Sequence, residues 1–275
     1  MPLRARRLPW AKTMRYSQKT ILITGAASGI GRHLASAFAA EGGQVLLADL
    51  DEVAATHAAQ QIVASGGRAM ALRMDVADET DVQQAVQRVL AASGEIDVLL
   101  NNAGIAYGDI YQLTTIPADR LRRLLDVNVL GMLFCARACR DSLRRRGGCI
   151  VNTSSMSSYM ANGAYGLSKA SVNNLTLALA DELAGDRIRV NAIAPGLMDS
   201  PAAMAHVNPV LQNRIRAAQL VQRQGRMQDV AELALFLASP QTAGFISGQV
   251  VLVDGGYLRH SASAMPVPLA GLPSG

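Results

Sequence analysis

The chain has 275 residues, half of them apolar and 17% charged, and a formal net charge of +5. This composition excludes an intrinsically disordered chain, no apolar run is long enough to span a bilayer, and the length suits one α/β domain with a sizeable core. The positive balance does not point to nucleic acid: Arg4, Arg6, Arg7, Lys12, Arg15 and Lys19 precede the first strand, and with those six removed from the 26 basic residues, 20 remain against 21 acidic ones.

Residues 1–18 read as a basic leader. It lacks the apolar centre of a secretory signal, resembles a transit peptide only in being Arg-rich and acid-free, and is expected to be disordered, with Met14 a candidate start of the native chain. From residue 20 to 254 strand and helix patterns alternate. Short β-rich runs at 20–24, 44–48, 68–74, 97–100, 149–153, 187–193 and 249–253 are too apolar for one-sided sheets, so strands covered on both faces are expected. Helical stretches occupy 30–40, 53–64, 82–92, 121–145, 164–183 and 230–238, and acids from Asp78 to Asp81 open the third of them, where the helix dipole favours negative charge. Seven strands joined by helices predict a Rossmann-like, doubly wound parallel sheet with helices on both faces, a single domain over residues 19–257. In such sheets ligands bind at the carboxyl ends of the strands, so motifs just after strands deserve the closest reading.

The first strand runs into Thr24-Gly25-Ala26-Ala27-Ser28-Gly29-Ile30-Gly31 and then a helix. Glycines there permit a tight turn and let backbone amides approach a pyrophosphate at the helix N-terminus. Asp49 closes the second strand at the place where an acid would hold an adenosine ribose, and its charge would repel the extra phosphate of NADP; neither Ser28 nor Leu50 is a cation that would neutralise one. NAD(H) is therefore the expected cofactor, with helix capping the blander role for Asp49. Asp75-Val76 follows the third strand and Asn101-Asn102-Ala103-Gly104 the fourth.

Tyr165 and Lys169 stand one turn apart at the start of a predicted helix, after an apolar strand that ends in Ser154-Ser155. Such a pair also arises by chance on solvated helix faces. Its position at the sheet edge points instead to proton transfer: reducing a carbonyl by hydride requires a proton donor beside the oxygen, and oxidising an alcohol requires a base there. A nearby ammonium stabilises the phenolate that such a base needs, and no metal is required.

Together, the TGAASGIG turn, the NNAG motif and the YxxxK pair resemble the short-chain dehydrogenase/reductase family over roughly residues 19 to 257. The resemblance implies Tyr165 as general acid/base, Lys169 as the group that lowers its pKa and holds the nicotinamide ribose, and Ser155 as the hydrogen-bond donor to the substrate oxygen. It implies that Asn128 links Lys169 to solvent through water. Gly25, Ser28, Gly29, Ile30, Gly31, Asp49, Asp75, Val76, Asn102, Ala103, Gly104, Pro195, Gly196 and Ser200 would complete the cofactor site. The Ser155–Tyr165 stretch is shorter than is usual in the family, which leaves Ser154 as the rival to Ser155. The family also implies a small-molecule alcohol or ketone substrate and a homo-oligomer, tetramer or dimer. Residues 197–227 are expected to form a substrate lid, with Met198, Met204, Val207, Val210 and Leu211 facing a substrate with apolar bulk and Arg214, Arg216 and Arg223 facing water; a pair of ordinary amphipathic helices would give the same pattern.

Cys135, Cys139 and Cys149 form no CxxC pair and read as core thiols, which fits a reducing cytoplasm. His33, His57, His206 and His260 show no ligand spacing. Residues 258–275 read as a disordered tail, with packing against a neighbouring subunit as the alternative. The competing functional classes are a non-catalytic NAD-binding or redox-sensing protein on the same fold, and an epimerase or dehydratase, for whose usual larger substrate domain the chain has little room.

Overall fold

The computed structural model describes residues 14–106 and 112–259. Seven parallel strands, β1 (Thr20–Thr24), β2 (Gln44–Asp49), β3 (Arg68–Arg73), β4 (Val98–Asn101), β5 (Cys149–Thr153), β6 (Arg189–Pro195) and β7 (Val250–Val253), form one sheet in the order β3-β2-β1-β4-β5-β6-β7. The chain winds outward from β1 to β3, returns to the centre, and winds outward again from β4 to β7. The switch point thus falls between β1 and β4.

The core is two apolar layers, one on each face of the sheet. Alternation within strands feeds both: Ile21, Ile23, Val45 and Leu47 point into one layer, and Leu22, Leu46 and Leu99 into the other. The first layer is closed by α1 (Gly29–Ala40), α2 (Glu52–Ala64) and later α9 (Met227–Ala238), and the second by α3 (Glu79–Ser93), α5 (Gly131–Arg146) and α6 (Gly163–Glu182). Coverage of both faces fails at one edge: β3 has neighbours on one side only, and Arg68, Met70 and Arg73 are exposed. Cys135, Cys139 and Cys149 are all buried, and burial pushes their thiols up, Cys135 to about 12 and Cys149 to about 11.

Two expectations need correction. The packed body begins before residue 19, because Tyr16 is buried against Phe38 with ring centroids 4.6 Å apart and its hydroxyl donates to the carbonyl of Leu235 at 2.6 Å. Arg15 pairs with Glu41 at 3.0 Å. Residues 1–13 and 260–275 of the expected leader and tail lie outside the described residues.

The helix expected over 121–145 runs unbroken from Ala118 to Arg146 but is not α-helical throughout. α4 (Ala118–Leu125) passes into a π-helical turn, Asp126–Leu130, before α5 begins. The wider turn sets Asn128 inward, where its side chain is fully buried and bonded to the segment after β4.

Candidate active site

The turn after β1 is held open by backbone conformation and by its neighbours. Gly25 has φ of +63°, and a Cβ on Gly31 would stand 2.1 Å from the Gly25 carbonyl oxygen, so a side chain at Gly31 would drive the α1 N-terminus off the turn. Ser28 caps α1 without a side-chain bond, and the first turn holds no acid, leaving its amides to face an anion. Asn102 staples the turn to β4: its Nδ2 donates to the carbonyls of Thr24 and Gly25, both at 3.1 Å, while Thr24 Oγ1 accepts from the amides of Asn102 and Ala103, both at 3.0 Å.

Asp49 does not cap α2. That bond belongs to Asp51, which accepts from the Ala54 amide at 3.0 Å. Asp49 instead accepts from the Ala27 amide at 2.9 Å and the Asp51 amide at 3.0 Å, so its carboxylate is fixed beside the glycine turn with lone pairs to spare. The turn, the bare helix N-terminus and this carboxylate suit a dinucleotide.

Across the sheet, Lys169 is buried on α6, its Nζ donates to the Thr153 carbonyl at 2.8 Å, and it lies 5.9 Å from the centroid of the Tyr165 ring. Burial lowers its pKa to about 8. Asn128 Oδ1 accepts from the Ile105 amide at 2.7 Å, and its Nδ2 donates to the Ile105 carbonyl at 3.0 Å and to Ser168 Oγ at 3.1 Å. The amide thus splints the segment after β4 to α6 next to Lys169.

The two serines point to different partners. Ser154 Oγ donates to Asn173 Oδ1 at 2.5 Å and approaches the Lys169 carbonyl at 3.3 Å, both on α6. Ser155 Oγ only accepts, from the Ser157 amide at 3.1 Å, as it caps the short 3-10 turn Met156–Tyr159 that the abbreviated segment forms; its O–H remains able to donate. Ser200 is used in the same way, accepting from the Ala203 amide at 3.1 Å as it opens α7 (Pro201–His206).

A single cleft of about 1200 Å³ gathers these groups. Gly25, Ser28, Gly29, Ile30, Asp49, Asp75, Val76, Asn102, Ala103, Gly104, Ser155, Tyr165, Lys169, Pro195, Gly196 and Ser200 line it. Gly31 and Asn128 stand behind the wall and shape it. Over one end lie α7 and α8 (Pro209–Ala217), where Leu197, Ala203 and Ile215 pack with Met156, Met204 and Val207. Both ends of this flap are tied: the Asp199 amide donates to the Gly225 carbonyl and Asp199 Oδ1 accepts from the Met227 amide, each at 2.9 Å. Arg214, Arg216 and Arg223 are exposed, as the flap's composition suggests, but Val210 faces outward while Leu211 lines the cleft. Sequence reasoning missed Arg123, Asn162 and His206 among the lining residues; in the sequence they belong to no motif, and Arg123 is one of several arginines on its helix.

A family model described as "Enoyl-(Acyl carrier protein) reductase" matches residues 25–258. The 7alpha-hydroxysteroid dehydrogenase of Escherichia coli K12 is 32% identical over 251 residues, 90% of this chain and 97% of that one. The chain belongs to the short-chain dehydrogenase/reductase family. Meso-2,3-butanediol dehydrogenase of Serratia marcescens is 37% identical over 248 residues, covering 88% of this chain and 96% of its own. A solved 7alpha-hydroxysteroid dehydrogenase, complexed with NADH and 7-oxo glycochenodeoxycholic acid, superposes with a TM-score of 0.84 at 32% identity, over 90% of this chain and 98% of that one. This short-chain dehydrogenase/reductase chain is therefore an oxidoreductase with alcohol dehydrogenases among its relatives. No described helix is long and apolar enough to cross a membrane.

Proposed function

We propose that the protein interconverts a secondary alcohol and a ketone with NAD(H). The observation that carries this reading is the buried Lys169 ammonium beside Tyr165 in a cleft whose other end is a dinucleotide cradle. The cofactor, when bound, supplies or accepts the hydride. In the reduction direction Tyr165 gives its phenolic proton to the substrate oxygen, and in oxidation the phenolate takes that proton back. Ser155 donates a hydrogen bond to the same oxygen and orients it. Lys169 stabilises the phenolate by charge, and Asn128 acts through position, keeping the β4 segment and α6 in register around Lys169. Apolar cleft residues Met156, Leu197, Met198, Val207, Leu211 and Ile215 favour a substrate with apolar bulk next to the carbonyl, in keeping with the steroid named for one relative. Assembly into a homo-oligomer and a cytoplasmic setting belong to the same reading.

The test is NADH formation from a panel of secondary alcohols with NAD, and NADH loss with the corresponding ketones. Turnover of at least one pair supports the reading; cofactor binding with no turnover across the panel would favour a non-catalytic sensor instead.

Two variants probe the parts. Ser155→Ala is expected to lower kcat about a hundredfold, as loss of a donor to a reacting oxygen does elsewhere. Ser154→Ala should act mainly on stability, by about 1 kcal/mol, because its bonds lie within the scaffold. The opposite ranking in kcat would transfer the substrate role to Ser154. Asp49→Asn is expected to reduce the preference for NAD over NADP, measured as a ratio of kcat/KM values, by about tenfold through removal of a charge facing the 2′-phosphate. An unchanged ratio would remove Asp49 from cofactor selection.

A further inference from the structure

Tyr165, Lys169 and Asn173 follow one another at one-turn spacing on α6. The first two line the cleft, whereas Asn173 stands behind it, against the segment that follows β5. Its amide is used at both ends: Oδ1 accepts from Ser154 Oγ at 2.5 Å, and Nδ2 donates to Ser158 Oγ at 2.9 Å. The Ser158 hydroxyl in turn donates to the Ser155 carbonyl at 2.7 Å, and the Ser158 amide donates to the same oxygen at 3.0 Å. One side chain from the body of α6 therefore grips the chain on either side of Ser155.

The grip matters because the segment it holds is weak by itself. Met156–Tyr159 is a single 3-10 turn, whose hydrogen bonds are poorly aligned, and Tyr159 and Met160 at its far end are exposed. The turn lies directly on the start of α6, where a Cβ on Gly166 would stand 3.0 Å from the Ser157 carbonyl oxygen and 3.1 Å from that of Met160, so no side chain there can support it. Asn162 adds one bond, from its Nδ2 to Ser157 Oγ at 2.8 Å, but this reaches Ser155 only through the Ser157 amide. Ser155 needs the firmest hold, since a hydroxyl that orients a reacting oxygen works only within about 0.5 Å of its productive place.

We propose that Asn173 is a positioning residue for the Ser155 hydroxyl: by fixing Ser158, and through it the Ser155 carbonyl, it sets the direction of an O–H it never touches. The inference rests on Ser155 donating to the substrate oxygen. It ties Tyr165, Lys169 and, at one remove, Ser155 to a single helix, so that the acid/base, its ammonium and the orienting donor keep a common frame. Ser154 anchors the other end of the Asn173 amide; without it the bond from Nδ2 to Ser158 remains, so losing Ser154 does not release Ser155.

Steady-state ketone reduction by the full chain, on a substrate found in the panel, tests this together with NADH affinity by titration. Asn173→Leu should lower kcat about tenfold and leave NADH affinity within about twofold, since displacing a donor costs less than the roughly hundredfold expected for deleting it. Ser158→Ala breaks the same link without touching α6 and should lower kcat in the same way. In a Ser155→Ala background each substitution should change kcat by less than about twofold, because its effect passes through a hydroxyl that is gone. The pH at which reduction falls should stay at the wild-type value in both variants, because neither acts on Lys169. Wild-type kcat in Ser158→Ala, or a loss that repeats in full in the Ser155→Ala background, would overturn the role of Asn173. No ketone turned over by wild type, or Ser155→Ala as fast as wild type, would instead overturn the proposed reaction or the part of Ser155 in it, and this inference with it.

Discussion

Replacing Tyr165 with phenylalanine is expected to lower ketone reduction about a thousandfold while leaving NADH affinity within about twofold, the scale at which a positioned general acid contributes. The ring can keep its place, because Tyr165 packs with Leu124 and Ala164 in a small apolar cluster. The loss should fall on kcat and kcat/KM alike, since the proton is transferred only as the substrate oxygen gains charge. Full activity in the phenylalanine variant would remove Tyr165 from the chemistry.

Lys169→Met is expected to cost about a hundredfold and to change the pH profile. At the 5.9 Å separating the ammonium from the ring centroid, one unit charge is worth about 3 kcal/mol at an effective dielectric of ~20. That is about a hundredfold in rate. It also accounts for most of what is needed to bring a phenol from ~10 toward neutrality, and the positive nicotinamide of the oxidised cofactor adds to it. Because burial holds the Lys169 pKa at about 8, wild-type ketone reduction should fall as pH rises through that value, when the ammonium and the phenol give up protons as a coupled pair. In the methionine variant the fall should move toward ~10, the ordinary value of an unassisted phenol.

The same residue carries a stability signature. The lysine titrates at about 8 in the fold against its ordinary value of 10.5, so between those values the unfolded chain binds more protons and stability rises with pH. Below about pH 8 the full cost of burying the charge is present, and Lys169→Met should lose the wild-type rise of Tm between about pH 8 and pH 10.5. A variant that lowers the rate but keeps the wild-type pH profile would make Lys169 a packing residue only.

What was legible in the sequence follows from what is local. Strand alternation, the glycine turn and the spacing of Tyr165 and Lys169 are written in neighbouring residues, so the sheet and the order of the motifs could be read directly. The π-turn at Asn128 could not, because the contact it serves, from the Asn128 side chain to Ile105, joins residues distant in sequence. Tyr16 looked like part of a leader because its partners, Phe38 and Leu235, lie far along the chain. Arg123 was hidden for the same reason: on α4 it is one of several arginines, and only the arrival of Asp75 from β3 marks it out. The choice between Ser154 and Ser155 was open in one dimension and is weighted in three, since α6 engages the hydroxyl of one and not of the other.

The central claim is that a buried ammonium makes one phenol exchange its proton near neutrality beside the bound cofactor. Near-ultraviolet phenolate absorbance, titrated with pH in saturating NAD and taken as wild type minus Tyr165→Phe so that the other five of the six tyrosines cancel, measures this directly. The account predicts a single-residue step well below the ordinary ~10 of a phenol, displaced upward in Lys169→Met. A difference step at the ordinary value, unmoved by the lysine substitution, would contradict it.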